Sequence, residues 1–336
     1  MLGGKSYAKL LLCIGIALGV MIIAALCVGR YSMNPVDVIN VLFAKIFGGT
    51  ADEAMETILF RIRLPRVITA VFIGAALSLS GAAYQSTLRN PLVSPDLLGV
   101  SSGASVGAAA AIFFGFSSRT LPLFAFAGGM AAVFLSTSLP KLLRNSTNMM
   151  LVLSGIIVSA FMNSLIGIIK FISREQDQLA SIVFWQMGSL SRVNADQLSA
   201  IVPPILVCLA LMIALSWRLN ILSLDEQEAQ TVGVNIPRLR GLVIACASLL
   251  TACSVSISGT IGWIGLIIPH FGRLICGSDN MKLMPAAAIL GGIFLLAIDT
   301  VARCATSMEI PLSILSGLVG APFFAWLLSH QRAKIE

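Results

Sequence analysis

The sequence predicts an all-α polytopic membrane protein with about ten transmembrane helices. Two observations carry that reading. Hydrophobic residues fill 57% of the 336 positions against 11% charged, and the mean hydropathy of +0.94 lies far above that of a soluble globular domain. Ten apolar runs follow one another along the chain, each near the ~20 residues that a helix needs to cross a hydrocarbon core of about 30 Å. Residues 1–336 therefore read as a single transmembrane domain.

The first run, Leu10 to Val28, follows Lys5 and Lys9. A basic start before an apolar stretch also fits a signal peptide. The run is long for one, and ALC before Val28 is a poor cleavage site, so it reads as the first span. The next segment, SMNPVDVINVLFAKIFGG, has Asn34 to cap a helix, Pro35 at its first position and glycines 48 and 49 to stop it, which predicts a short amphipathic surface helix. The second to fifth spans are Leu64 to Ala83, Leu97 to Phe116, Leu121 to Leu139 and Met149 to Ile172. Within Ser173 to Gln197, the piece QLASIVFWQMG is too short to cross, and reads either as a half-helix at a cavity mouth or as a plain surface helix. The sixth span is Leu198 to Trp217. After it, residues 218–240, RLNILSLDEQEAQTVGVNIPRLR, mix both charges with leucines and are divided by Gly233 and Pro237, a pattern suited to a protein contact or to a solvated loop. The remaining spans are Leu242 to Ile257, Ile261 to Ile275, Leu283 to Val301 and Ile310 to Leu328.

An even number of spans puts both termini on one side, and Lys5, Lys9, Arg332 and Lys334 assign that side to the cytoplasm. On this topology the inner segments hold twelve of the 22 Lys and Arg residues and the outer segments ten, four of which (Arg61, Arg63, Arg66 and Arg303) sit close to span ends. The outer cluster RIRLPR, 61–66, thus runs against the positive-inside rule, either as an interfacial anchor or because the arginines have a use. An S-x-S-G pattern occurs at Ser78 to Gly81 and at Ser256 to Gly259, on spans expected to run in opposite directions. It hints at a weak inverted repeat with halves near 64–172 and 242–328, an architecture that recurs in transporters.

Enzyme chemistry has little to stand on. The two histidines, His270 and His330, make no metal-binding spacing, and no metal site is expected. The seven cysteines lie in or beside apolar runs without a C-x-x-C and read as small hydrophobes. Gly4-Lys5-Ser6 resembles the end of a phosphate loop but lacks the preceding glycine and strand, so ATP is not expected to bind this chain. Asp299 stands within a late span, where an acid can relay protons; Arg303 four residues on predicts a local ion pair instead.

The stretch RLPRVITAVFIGAALSLSGAAYQSTLRNPLVSPDLLGVSSGASVGA (63–108) resembles the signature of the FecCD family, the permease subunits of ABC importers for ferric siderophores, haem and cobalamin. The likeness continues, in order, through EAQTVGV (228–234), SGTIGWIGLIIPHFGRL (258–274), DTVAR (299–303) and EIPLSILSGLVGAPFFAWLL (309–328). It leaves out the first 60 residues and roughly 110–225.

The resemblance implies a type II ABC importer permease: ten spans in the bacterial plasma membrane with both termini cytoplasmic, and a second permease copy around a central pathway. It further implies two ATPase subunits that bind ATP and Mg, an external binding protein that delivers an iron chelate, haem or cobalamin, and no nucleic acid partner. It assigns Arg63, Arg66 and Arg303 to docking carboxylates of the binding protein, for which guanidinium forks are well matched. It assigns Glu228, Ala229 and Gly233 to the loop that couples to the ATPase, and Asn90 and Leu92 to a cytoplasmic constriction, with NSTNMM (145–150) near another. A secondary transporter driven by an ion gradient is the alternative.

Overall fold

The computed structural model describes residues 4–29, 31, 33–48, 52–145, 147–173, 176–224 and 234–332. Glu228, Ala229 and Gly233 lie outside the described residues. Among those described, every regular element is helical.

Helix α1 is Gly4–Cys27, and α2, Pro35–Phe47, is the expected surface helix, with Pro35 opening it. Asn34 N donates to Asp37 Oδ2 at 3.2 Å, and Gly48 ends the helix in the left-handed region at φ 80°. The short α3, Glu53–Thr57, passes through a π-helical turn at Ile58–Arg63 into α4, Leu64–Leu88. A 3-10 turn at Pro95–Leu98 precedes α5, Val100–Phe113. Next come α6 (Leu121–Leu142), α7 (Asn148–Ile172), α8 (Gln176–Met187), α9 (Ala195–Ala214) and α10 (Ser216–Leu222). The chain closes with α11 (Ile236–Ser258), α12 (Ile264–Cys276), α13 (Asn280–Cys304) and α14 (Leu312–Arg332).

Each of the ten predicted spans contains one helix. Seven described helical segments are long and apolar enough to cross a membrane, and α5, α12 and the apolar part of α14 are shorter. The predicted eighth span begins at Ile261, yet α12 starts only at Ile264, because Gly259 (φ 69°) and Trp263 (φ 72°) hold the connection out of helical geometry. α8 is the predicted short helix. Its end is tied down by Ser189 N donating to Ser258 O at 2.8 Å and Leu312 N donating to Gly188 O at 3.0 Å, which joins the finish of α11 and the start of α14.

α4 is the axis of the bundle. It is buried along nearly its whole length and packs antiparallel to both α11 and α13. Against α11, the Tyr84 hydroxyl meets Ser248 at 2.6 Å and Ser80 meets Thr251 at 2.8 Å. Against α13, Arg66 meets Asp299, Ser78 Oγ donates to Ala287 O at 2.8 Å, and Ser86 Oγ donates to Asn280 Oδ1 at 2.9 Å. Helices in lipid gain little from apolar burial against one another, so close backbone approach and interhelical hydrogen bonds have to hold them. Glycine makes that approach possible here: a Cβ on Gly81 would sit 1.8 Å from Gly265 O, and one on Gly74 would sit 2.2 Å from Gly291 O.

The two S-x-S-G stretches sit differently. Ser78 to Gly81 is in the middle of α4, whereas Ser256 to Gly259 ends α11. The antiparallel pairing of α4 and α11 supports opposite directions for the two spans.

Candidate functional site

Two of the RIRLPR arginines point inward. Arg63 and Arg66 are buried at 4% and 7% exposure and Arg303 at 7%, while Arg61 is exposed. Three elements bring them together at one end of the bundle: the π turn leading into α4, the last turn of α13, and the C-terminal end of α1.

Arg66 is saturated. Its Nε donates to both oxygens of Asp299 at 3.0 and 3.1 Å, and its Nη2 is 2.9 Å from Asp299 Oδ1. Its two terminal nitrogens also donate to Glu309 Oε1 at 2.8 Å and Oε2 at 2.9 Å. A single guanidinium thus bridges two carboxylates, the forked geometry that suits arginine and not lysine. Asp299 does not form the local ion pair with Arg303 that the four-residue spacing predicts. Spacing along one helix fixes only which face a residue shares, and the neighbouring helix presents the better-placed partner.

Arg63 and Arg303 serve a different purpose. Arg63 donates to the carbonyls of Leu26, Cys27 (3.0 Å) and Tyr31, and Arg303 donates to Ala25 O. The last carbonyls of a helix have no partner within it and carry the negative end of its dipole. Two guanidinium groups therefore cap α1 and counter that end. The three cations face two acids, and α1 supplies the remaining negative potential through its backbone.

A pocket of about 260 Å³ opens at this cluster, lined by Gly29, Tyr31, Arg63, Arg66, Arg303 and Glu309 among others. Arg303 Nε is buried there without a hydrogen-bond partner among the described residues. The role of Glu309 was not apparent in the sequence. The signal available was a second acid, in EIPLS, close after the arginine of DTVAR.

The opposite end holds the other polar set. Tyr7 Oη donates to Lys282 O at 2.8 Å, Arg89 Nε donates to Leu222 O at 3.3 Å, and Asn220 is tied to Asp279 and to Asn280 N, both at 2.8 Å. Arg273 Nη1 donates to Gln85 Oε1. Asn90 and Leu92 lie on the exposed turn that follows α4, where Asn90 Oδ1 accepts from Leu92 N at 2.9 Å and Leu92 is 53% exposed. They belong to this end, remote from the arginine cluster. No group of three or more His, Cys, Asp or Glu that could hold a metal ion occurs among the described residues.

Membrane-length helices around a buried polar axis, with arginines and acids gathered at one end, define a polytopic integral membrane protein. The FecCD transport family matches the chain over residues 17–330, and the chain belongs to that family: it is a membrane-spanning ABC transporter permease. It is 42% identical over 327 residues to the molybdate import system permease protein MolB of Haemophilus influenzae, covering 96% of each chain. It is 43% identical over 281 residues to an iron chelatin transport system permease protein of Helicobacter pylori, covering 83% of this chain and 85% of the other. A solved inward-facing structure of a metal-chelate type ABC transporter superimposes with a TM-score of 0.86 at 39% identity, over 96% of this chain and 99% of that one.

Proposed function

We propose that the chain forms the membrane pathway of an ATP-driven importer for a metal chelate, working as a pair of permease copies on two ATPase subunits that bind ATP and Mg. An external binding protein delivers the chelate to the arginine end. The observation that carries this reading is the pocket lined by Arg63, Arg66, Arg303 and Glu309, which gathers three guanidinium groups where an incoming carboxylate would dock. A rim of such charges favours orientation and fast encounter over affinity and weakens with salt. α1 begins and α14 finishes at the end opposite this pocket, which supports placing both termini in the cytoplasm of a bacterial cell and the pocket outside. Asn90 and Leu92 then face the cytoplasm, as a constriction there requires, and Glu228, Ala229 and Gly233 fall in the cytoplasmic segment that would meet the ATPase.

The geometry also decides which docking variant is informative. Reversing Arg66 to Glu would bury three acids together and unfold the site, whereas Arg303→Gln removes a charge without burying a new acid. In reconstituted vesicles with the cognate binding protein and ATPase, R303Q should lower binding-protein-stimulated ATP hydrolysis about tenfold, a loss of ~1.4 kcal/mol, with the complex still assembled. Unchanged stimulation overturns the docking role.

A ferric chelate is the expected cargo, in line with the iron chelatin relative. Molybdate is a second reading, favoured by a relative that matches over 96% of both chains. Uptake of labelled ferric chelate, haem, cobalamin and molybdate into the same vesicles decides between them. ATP-independent uptake along an ion gradient would point instead to a secondary transporter.

A further inference from the structure

The arginine pocket already contains a carboxylate. Among the described residues that line it Glu309 is the one acid, and both its oxygens accept from Arg66, at 2.8 and 2.9 Å. The acceptors that hold the three arginines differ in their access to solvent. The Asp299 side chain has no exposed surface. The carbonyls that accept from Arg63 and Arg303 belong mainly to the end of α1, where Ala25, Leu26 and Cys27 are buried. The Glu309 side chain, by contrast, is 26% exposed. A carboxylate arriving from outside therefore reaches the fork of Arg66 at the edge where Glu309 sits. Two carboxylates cannot share that edge, because its paired donors match one forked acceptor and like charges so close repel.

Glu309 also occupies the link between α13 and α14. On the α13 side, Asp299 stays bonded to Arg66 whatever Glu309 does. On the other side the link runs through Pro311 into α14, whose Ile314, Leu318 and Val319 are exposed. Two backbone bonds accompany Glu309 there, Ile310 N donating to Ala302 O at 3.1 Å and Leu312 N donating to Gly188 O at 3.0 Å. We propose that Glu309 is a latch that keeps the place of the binding protein's carboxylate on Arg66: docking exchanges one carboxylate for the other, and the displaced Glu309 frees the start of α14. The latch rests on the docking role given to this pocket above. It makes the arriving protein and the α13–α14 link competitors for one guanidinium, so a contact at the rim is felt by a membrane helix while α13 stays in place.

The test uses the permease with its ATPase subunits in lipid nanodiscs and the cognate binding protein. Glu309→Gln removes the competing charge and should tighten docking about fivefold or more, the low end of coupling between two linked sites. Glu53→Gln removes one acid from an exposed position of α3 at the same end and should change docking by less than about twofold, as expected of a solvated surface charge. Hydrogen exchange over residues 305–316 should speed up when the binding protein is added to the unmodified complex, although a partner that merely covers a segment slows its exchange. In Glu309→Gln the faster exchange should be present before the binding protein is added. Weaker or unchanged docking by Glu309→Gln overturns the latch, as does equal tightening by Glu53→Gln, which would be an effect of net charge. Slowed or unchanged exchange on docking also overturns it, and carries the test alone if Glu309→Gln does not fold. Arg303→Gln tells the two readings apart. If it weakens docking while the Glu309 results fail, the latch alone falls; if it docks as tightly as the unmodified permease, the docking role falls and takes the latch with it.

Discussion

Removing one carboxylate from beneath Arg66 separates the observed partnership from the one that sequence spacing suggests. Asp299→Asn keeps the shape of the side chain and deletes its charge. The Asp299 side chain has no exposed surface and that of Arg66 only 8%, so the pair is buried and solvent cannot compensate. Breaking a buried ion pair by removing one partner costs about 3–5 kcal/mol. Glu309 remains on Arg66 through two hydrogen bonds and holds the loss to the lower end, about 3 kcal/mol. For a chain of this size that lowers an apparent melting temperature by about 5 °C, readable by thermal unfolding in detergent with intrinsic tryptophan emission. The decisive measurement is a pair of double-mutant cycles. Asp299→Asn with Arg66→Met should show a coupling of about 2 kcal/mol, because the two side chains share hydrogen bonds. Asp299→Asn with Arg303→Met should show less than half of that, since Arg303 is bonded to Ala25 O. A cycle in which Arg303 couples to Asp299 as strongly as Arg66 does would refute the assignment.

Gly81→Ala puts a methyl group 1.8 Å from the Gly265 carbonyl oxygen, backbone that has nowhere to move. The yield of monodisperse protein on size exclusion should fall severalfold, while Gly167→Ala, with nothing within 4 Å, should leave it unchanged. Gln85→Leu takes the Oε1 acceptor from Arg273 and should cost about 2 kcal/mol, the range for a hydrogen bond to a charged group, measured as a lowered unfolding temperature in the same detergent.

Much of the architecture was legible because the membrane forces it. Every apolar run long enough to cross contains a helix, since the backbone must satisfy its own hydrogen bonds in lipid. α2 was legible down to its Pro35 start and Gly48 stop, because these are local backbone requirements. The partners of the buried charges were not. RIRLPR was visible as an anomaly of topology, yet Arg63 is bonded to the end of α1 and Arg66 to two acids more than 200 positions away, and no periodicity reports such a distance. The Asp299 and Arg303 spacing misled for the same reason: it sees one helix, and the outcome was set by the register of two. Long-range register here depends on where Gly74 and Gly81 let α4 touch its neighbours, a matter of shape that appears only when the helices are assembled.

The α4 and α13 pair is pinned at both extremes, by Arg66 with Asp299 and by Ser86 with Asn280, some 20 residues or about 30 Å apart along the helix. Sliding one helix past the other by a single turn, about 5.4 Å, would break both pins and drive the Gly74 and Gly291 backbones into neighbouring side chains. The two therefore travel as one rigid spar. Any opening and closing of a passage through this protein has to be accommodated by the elements hung from that spar, and not by strain within it.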